Sequence, residues 1–458
     1  MPFANTCFHA VGQGCFYSVE IFCAPESVPL RMVYDCGSET AGDGLKREIS
    51  SFHRLVHDAK LDMLVLSHLD ADHVNGLSLL LDNGFTAKNV FLPYLTPAQR
   101  VMAAAGADSE TDPNYFELLG DPIGFLEGRR VENIIFVSGS DDEQENSKDQ
   151  TVSPFEPAGD NGNSPNLEDL ENDAKRDLHF YKGEQSNSTA KRGQLFQGTL
   201  LPDAPLPEPA SDSRLPQKAK LHFKTDRKPF RLNHCWKGKF LHRDDICSVV
   251  NRICSDLDFT IRDGDPTSVQ RYKRFLQEVH GYFGTLDPGR LVAAIRDKSD
   301  RKKLRNAYHH ICGNHNDVSL VLWHGPSKME ARARLRSSER ARRRGQIAAI
   351  ATCNGGTLLA GDLTCTNQTV DKMKRHFGKW LRESAFFGAP HHGSLHSWNP
   401  KLLEVTRPDV IWVISAGIRN GHHHPDPQVI DSLDNTNGGV RWFVNDERNP
   451  IAMRIETI

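Results

Sequence analysis

The stretch LDMLVLSHLDADHVNG, residues 61–76, decides the fold that we expect for this 458-residue chain. It opens with a short, mostly apolar run and then supplies His68, Asp70, Asp72 and His73 within six residues. An apolar run that ends where polar side chains begin is typical of a buried strand that delivers residues to the carboxyl edge of a sheet. Two imidazoles and two carboxylates in one tight turn need a cation or solvent, so the motif predicts a metal site. The alternative is a solvated turn that caps the following helix.

The sequence on either side of this motif predicts an α/β fold. Strand-like residues surround glycine turns in TCFHAVGQGCFYSVEIF (6–22) and RMVYDCGS (31–38), and LKREISSFHRLVHDA (45–59) has the apolar spacing of a helix. VNGLSLLLDNG (74–84) predicts a short helix. Beyond residue 316, strands are predicted in VSLVLWH, QIAAIATCNGGTLLAGD, SAFFGAP, DVIWVISAG, VRWFV and IAMRIE.

Composition divides the chain into four segments. Residues 1–137 and 313–458 are predicted to be the two halves of the α/β core. Residues 138–219 are acidic and rich in Pro, Ser, Asn and Gly, so they bury too little apolar surface to offset their ordering entropy and are interpreted as a low-complexity linker. Residues 220–312 regain aromatic and helical character, as in SVQRYKRFLQEVHGYFG, and are interpreted as a helical insertion or cap.

Charge and hydropathy exclude several classes of protein. A formal net charge of −3 gives no overall sign of a polyanion partner. No stretch approaches the roughly 18 apolar residues of a membrane span, and the start MPFANTCFHAVGQG lacks the features of a signal peptide. We therefore expect a cytoplasmic protein with no membrane partner. The ten cysteines form no C-x-x-C pair and are expected to be reduced thiols.

Further candidate ligands lie far along the chain, each just after a strand-like run. A carboxylate in such a place can bridge two cations, because its two oxygens can point at different metals. The run of three histidines could alternatively be a surface tract. The candidates are Asp362 after GTLLAG, His391 and His392 after FFGAP, and His422, His423 and His424 after WVISAGIRNG.

Together, the order H-x-D-x-D-H, then G-D, then H-H-G-S resembles the metallo-β-lactamase superfamily. Within it, the chain is similar to the soluble, nuclease-like domain of the competence protein ComEC family. The resemblance covers residues 5–95 and 314–458 and rests on the motifs VGQG (11–14), YDCG (34–37), SHLDADHVNG (67–76), NDVSLVL (316–322), LLAGD (358–362), PHHGS (390–394) and GHHHPDP (421–427).

This resemblance implies an αββα metallo-β-lactamase sandwich, here with a long insertion, and two divalent metal ions at one edge that activate a water-derived hydroxide. Nitrogen and oxygen ligands suit zinc or manganese, with magnesium as a further option, and Asp70 in place of a histidine favours a harder ion such as Mn²⁺. His424 is implied either as a ligand or as a phosphate contact. The matching metal-ligand positions are His68, Asp70, Asp72, His73, Asp362, His392 and His424.

The resemblance also suggests catalytic and substrate-binding residues. Asp72 is expected to orient the hydroxide, and His391 or His422 to protonate the leaving oxygen. Asn316 and Ser319 match a polar pair that is predicted to bind substrate, with a strand-start cap as the alternative.

Two departures from the family pattern stand out. The third ligand histidine between the first motif and the aspartate has no clear counterpart, although His315 and His324 lie in that interval and His424 could substitute. The proline of the family's H-P-H motif is His423 here, which removes a backbone restraint.

A basic run between two predicted core strands points to the substrate. RARLRSSERARRR (332–344) has seven arginines against one glutamate and could follow a nucleic-acid backbone, with Arg342, Arg343 and Arg344 as predicted phosphate contacts. The alternative is a solvated basic loop. We therefore expect a metal-dependent nuclease or phosphodiesterase that uses a metal-bound hydroxide on DNA or RNA, with defence against foreign nucleic acid as a suggested role. The alternatives are a hydrolase of small phosphodiesters or other esters, and a regulatory or scaffold protein whose insertion binds a protein partner.

Overall fold

The computed structural model describes residues 1–56, 60–82, 84–107, 111–138, 219–226, 229–244, 247–308, 318–327, 331–337, 355–435 and 441–457. The predicted linker lies outside the described residues except for its two ends. So do three groups of residues singled out above, namely His315, Asn316, and Arg342 to Arg344.

The described strands form two mixed sheets, so the chain has an α/β fold. Sheet 1 has the order β11-β16-β1-β2-β3-β4-β5-β6-β7, and sheet 2 has the order β15-β14-β13-β12-β10-β9-β8. The strands are β1 (Phe3–Phe8), β2 (Phe16–Phe22), β3 (Leu30–Cys36), β4 (Lys60–Val65), β5 (Thr86–Pro93), β6 (Asn133–Ser138), β7 (Lys220–Thr225), β8 (Phe230–Asn233), β9 (Trp236–Asp244), β10 (Val318–Pro326), β11 (Ala331–Ser337), β12 (Gly356–Leu359), β13 (Ser384–Gly388), β14 (Ile411–Ser415), β15 (Arg441–Asn445) and β16 (Ile451–Thr457).

Helices connect the strands and cover the sheets, and several of them begin at a capping residue predicted by simple rules. Thr96, for example, forms a capping box with Gln99 in front of a proline. The helices are α1 (Gly44–Leu55), α2 (Ala71–Val74), α3 (Leu77–Leu80), α4 (Pro97–Gly106), α5 (Pro113–Gly120), α6 (Pro122–Glu127), α7 (Cys247–Asp256), α8 (Thr267–Phe283), α9 (Pro288–Arg296), α10 (Lys298–Tyr308), α11 (Asn367–Phe377), α12 (Lys379–Arg382), a 3₁₀ turn (Pro390–Gly393), α13 (Lys401–Val405) and α14 (Pro427–Asp434).

The two sheets pack face to face, and each has helices on its outer face. Side chains alternate along a strand, so β4 sends Met63 and Val65 into the core between the sheets and Leu64 into the core under the helices. On sheet 2, Val413 of β14 faces the same inter-sheet core while Trp412 packs under α11, α13 and α14. The layers therefore run helix, sheet, sheet, helix.

Residues 220–244 differ from the prediction of a helical insertion. They form β7, β8 and β9, of which β7 pairs with β6 in sheet 1 and β9 pairs with β10 in sheet 2. The helical part begins only at α7, and α9 and α10 pack directly on α4 in one shared core. Strand pairing across a long separation has no local signature, since strand propensity depends on the neighbouring strands.

The carboxyl ends of the parallel strands bring the candidate residues to one edge. β3 to β7 run parallel in sheet 1, and β12 to β15 run parallel in sheet 2. The segments that follow β4, β12 and β13 carry the HLDADH, GD and PHHG motifs. We call this edge the metal end of the sandwich. Among the described residues, no helix is both long enough and apolar enough to cross a bilayer.

Candidate metal centre

The HLDADH turn is held against two glycine-containing loops by close backbone contact. The turn enters α2 after Asp70, and the Cys15 N–H donates to the carbonyl O of Asp72 at 3.2 Å. At Gly37 of the YDCG motif, a Cβ would lie 2.6 Å from the Asp72 carbonyl carbon and the His73 amide nitrogen. Only glycine permits this approach, and it fixes the position from which Asp72 and His73 reach the site.

Asp362 lies between two groups of side chains, and each of its carboxylate oxygens faces one group. Its Oδ1 is 3.0 Å from His73 Nε2 and 3.6 Å from His392 Nε2. Its Oδ2 is 3.5 Å from His391 Nε2 and 3.8 Å from His68 Nε2.

A further carboxylate accompanies each group. Asp72 Oδ2 accepts a hydrogen bond from His392 at 3.0 Å and lies 3.6 Å from His73 Nε2. Asp70 Oδ2 lies 3.7 Å from His68 Nε2. Asp362 therefore stands between one set of three residues on each side.

All four of these imidazoles are held through Nδ1, which leaves Nε2 directed at the site. His73 Nδ1 donates to Asp35 Oδ2 at 2.8 Å, and His392 Nδ1 donates to the Ser415 carbonyl O at 2.7 Å. Because Ser67 Oγ donates to Asp35 Oδ2, it accepts from His68 Nδ1 at 2.8 Å.

These acceptors fix a proton on Nδ1, so Nε2 is the nitrogen that can give up its proton and bind a metal. His391 Nδ1 likewise contacts Ser397 Oγ at 2.9 Å. Such outer contacts are the arrangement by which proteins orient histidine ligands towards a metal.

The PHHG turn presents both of its histidines through an unusual backbone. His391 and His392 have φ values of 45° and 56°, which non-glycine residues adopt at a cost in free energy. The His391 N–H donates to the carbonyl O of Gly361 at 3.0 Å, so the turn is tied to the residue before Asp362. This tie places the two histidines on the two sides of Asp362.

The electrostatics of the cluster favour added positive charge. Burial alone would lower the pKa of His73 and of His392, but the carboxylates of Asp72 and Asp362 outweigh burial and raise both pKa values. Burial alone would raise the pKa of Asp72 and of Asp362, yet the neighbouring imidazoles lower both. Without a metal, the buried carboxylates draw protons onto the imidazoles.

The side chains present fit a divalent cation. Asp72, His73, Asp362 and His392 are all buried, and each offers one atom within 4.8 Å of the others. The buried Nε2 atom of His68 makes no hydrogen bond with any described atom. Mixed nitrogen and oxygen ligands suit zinc or manganese, so the cluster could hold such an ion.

A pocket opens beside the cluster. Small and aromatic residues of α4 and α5, including Ala103, Gly106 and Tyr115, line one wall. On the other side, Gln13 Nε2 donates to His424 Nδ1 at 3.3 Å.

Most of the predicted ligands meet at this centre, and the remaining predicted residues lie elsewhere. His424 is on the pocket wall, and its ring centroid is 5.5 Å from that of His391. His422 is exposed, with Nε2 3.3 Å from Glu39 Oε2. Ser319 is fully buried in β10 and is not among the described residues that line the pocket.

The histidine sought between the first motif and Asp362 is not supplied by His324. That residue is buried between the sheets, where Trp236 Nε1 donates to its Nδ1 at 3.2 Å. His391, which the sequence suggests as a proton donor, lies beside the metal-ligand candidates, with Nε2 3.5 Å from Asp362 Oδ2.

Sequence reasoning missed the residues that orient the ligands. Asp35 receives hydrogen bonds from the Ser67 N–H and Oγ–H, both at 2.6 Å, as well as from His73. Asp35 lies in the YDCG motif and Ser67 in the SHLDADHVNG motif, so both belong to motifs that the sequence analysis had already identified.

No family model matches the chain, and a search of curated protein sequences finds no match.

Proposed function

We propose that the chain is a metal-dependent hydrolase with the αββα arrangement of the metallo-β-lactamase superfamily. The observation that carries the proposal is the position of Asp362, whose Oδ1 faces His73 and His392 and whose Oδ2 faces His68 and His391. A carboxylate so placed is suited to bridging two cations.

One cation would be held by Asp72, His73 and His392, and the other by His68, Asp70 and His391, with Asp362 shared between them. Zinc or manganese suits both sets, and magnesium is favoured least because it prefers oxygen ligands. When bound, two such ions lower the pKa of water and neutralise charge on the oxygens of a phosphoryl group.

The protein's own residues would position the substrate beside this pair. Burial, and then the positive charge of His392 and His391, lowers the pKa of His424 to about 3, so His424 is neutral near pH 7. With Gln13, it could donate hydrogen bonds to a phosphoryl oxygen in the pocket. His422 beside Glu39 lies at the rim, where an imidazole could supply a proton to a leaving oxygen.

A nucleic acid is the proposed substrate, and the arginine run at 332–344 supports it. Ser337, the last residue of β11, pairs with Ala452 on β16, and the neighbouring Ile451 pairs with Phe8, where β1 ends. The chain after Phe8 carries Gln13 on the pocket wall. β11, in which the arginine run begins, therefore runs towards the metal end.

Cleavage of labelled single-stranded DNA, double-stranded DNA and RNA with Mn²⁺, Mg²⁺ or Zn²⁺ tests the proposal. We expect the wild type to cut at least one polymer, and Asp72→Asn to cut it at least about 10³-fold more slowly. Asp62→Asn is the matched control, because Asp62 lies near the start of β4, at the end of that strand remote from the HLDADH turn, and its Oδ2 accepts the Arg31 N–H at 2.8 Å. Equal loss in both variants would attribute the effect to folding.

A small phosphodiester is the second candidate substrate, since α4 and α5 wall the pocket on one side. Bis(p-nitrophenyl) phosphate in the same assay distinguishes the two. Cleavage of this probe without cleavage of any polymer would replace the nuclease proposal by that of a small-diester hydrolase. Stoichiometric metal binding without cleavage of either would favour a regulatory or scaffold protein.

A further inference from the structure

Two cysteine side chains meet across the sandwich, away from the metal centre. Cys23 directly follows β2 of sheet 1, and Cys235 lies in the turn between β8 and β9 of sheet 2. Their Sγ atoms are 2.8 Å apart. His234 is exposed, and one of its ring nitrogens lies within 4.8 Å of both sulfurs.

The pair lies at the end of the sandwich opposite the metal centre. β2 begins next to Cys15, whose N–H contacts the HLDADH turn, and Cys23 follows its far end. On sheet 2, the Leu320 N–H near the start of β10 donates to the carbonyl O of Ser67, which precedes His68, at 2.7 Å. Beyond the other end of β10, the Ser327 N–H donates to the carbonyl O of Cys235 at 2.9 Å. The length of β2 separates the two places by roughly 20 Å.

The separation of the sulfurs suits a covalent bond better than a shared metal ion. Two thiolates bound tetrahedrally to zinc at about 2.3 Å would lie roughly 3.8 Å apart. The sulfurs of a disulfide lie about 2.0 Å apart, so the observed contact needs only a small approach to close.

The two thiols also differ in access. Cys235 is buried, its Sγ–H donates to Asn233 Oδ1 at 3.1 Å, and burial raises the pKa of its thiol well above the ordinary value. Cys23 is partly exposed. An oxidant in solution therefore reaches Cys23 first.

We propose that Cys23 and Cys235 form a reversible disulfide that joins sheet 1 to sheet 2. With oxidised glutathione as the oxidant, the Cys23 thiolate attacks one sulfur of the glutathione disulfide, forms a mixed disulfide and releases one glutathione thiolate. Cys235 then loses its proton, with His234 as a nearby base, and attacks Cys23 Sγ. The protein disulfide forms, a second glutathione leaves, and the two electrons given up by the protein reduce the oxidant.

Peptide mapping of the full chain under non-reducing conditions tests this, after equilibration in buffers of oxidised and reduced glutathione. We expect a linked peptide pair containing Cys23 and Cys235, which reduction by dithiothreitol separates. Oxidation should raise the midpoint of thermal unfolding by roughly 5 °C, because the bond restricts the unfolded chain. Metal content should not change, since the bond lies remote from the metal end.

Cys23→Ser and Cys235→Ser should each abolish the linked peptide and the thermal shift, whereas Cys7→Ser leaves the pair intact and should keep both. Glutathione retained singly on Cys23 in every buffer would overturn the proposal. So would one tightly held zinc ion that is lost in Cys23→Ser and protects both thiols from alkylation. The linked peptide is a chemical readout, so it is decisive even if a serine variant is less stable.

Discussion

Buried histidines in two regions of this molecule have opposite protonation behaviour. At the metal end, His73 and His392 face Asp72 and Asp362, which raise the pKa of both imidazoles. Between the sheets, His324 is equally buried, and burial lowers its pKa to about 3. Burial therefore does not identify a ligand, whereas the charge of the neighbours does.

The two groups also use their ring nitrogens in opposite ways. His73 and His392 each donate from Nδ1 to a fixed acceptor and direct Nε2 at the cluster. At His324, Nδ1 accepts from Trp236 Nε1, so Nε2 carries the proton and donates to Tyr17 Oη at 2.9 Å. Both ring nitrogens of His324 are used inside the protein, which leaves neither for a metal.

The strongest test of the comparison is Asp362→Asn, because Asp362 supplies the charge that both sides of the metal end share. We expect the chain to bind two divalent cations and the variant to bind fewer than one, with phosphodiester cleavage reduced by at least about 10³-fold. Metal content by atomic spectroscopy after gel filtration measures the first, and the nuclease assay the second. Asp62→Asn should bind two ions, and two ions retained by Asp362→Asn would refute the bridging role.

A second test separates the two roles that His391 could have. If His391 is a ligand, His391→Gln should reduce the bound metal from two ions to one, with cleavage reduced by about 10²-fold or more. If it is only a proton donor, two ions remain and only the rate and its pH profile change. His422→Gln is the control for metal content alone and should keep two ions, since His422 is exposed and contacts Glu39 rather than Asp362.

Asp35→Asn tests whether the tautomer matters as well as the charge. Asparagine keeps one oxygen for the Ser67 N–H but loses the carboxylate that accepts from His73 Nδ1 and Ser67 Oγ. We expect metal affinity to fall by about 10- to 100-fold, measured by competition with a chelating dye. An unchanged affinity in a variant that remains folded would show that His73 is oriented by packing alone.

The sequence predicted the parts of this centre that are local. His68, Asp72 and His73 follow one apolar strand, and Asp362 and His392 each follow another, so the rule that parallel strands end at one edge brings them together. The α/β class followed from the alternation of strands and helices along the chain.

Features that depend on distant partners were not predictable in this way. His324 is a core residue rather than a metal ligand because it bonds to Tyr17 and Trp236, which lie far away in the chain. The side on which His391 stands depends on two left-handed backbone conformations that no local rule predicts for histidine. Residues 220–244 pair as strands only because β6 and β10 are there to receive them.

The smallest expected effect is a pH-dependent change in the free energy of unfolding caused by His324, between the sheets. His324→Gln preserves a donor and an acceptor for Tyr17 and Trp236 but removes the titrating group. In the wild type, the pKa of His324 is about 3 when folded and about 6.5 when unfolded, so the unfolded chain takes up a proton first as the pH falls. The stability that neutral His324 contributes is thus complete above about pH 6.5 and is lost progressively towards pH 3.

Between about pH 7.5 and about pH 5.5, the wild type should lose about 1.4 kcal/mol of unfolding free energy relative to His324→Gln. Urea unfolding of both proteins at the two pH values measures this difference, because titrations that the two proteins share cancel. His73 and His392 at the metal end should behave in the opposite sense. Their pKa is raised in the folded chain, so the stability that they contribute falls as the pH rises. A pH-independent difference between the two proteins would mean that the pKa of His324 is the same in the folded and the unfolded chain. The contrast between the two regions would then rest on the roles of the ring nitrogens alone.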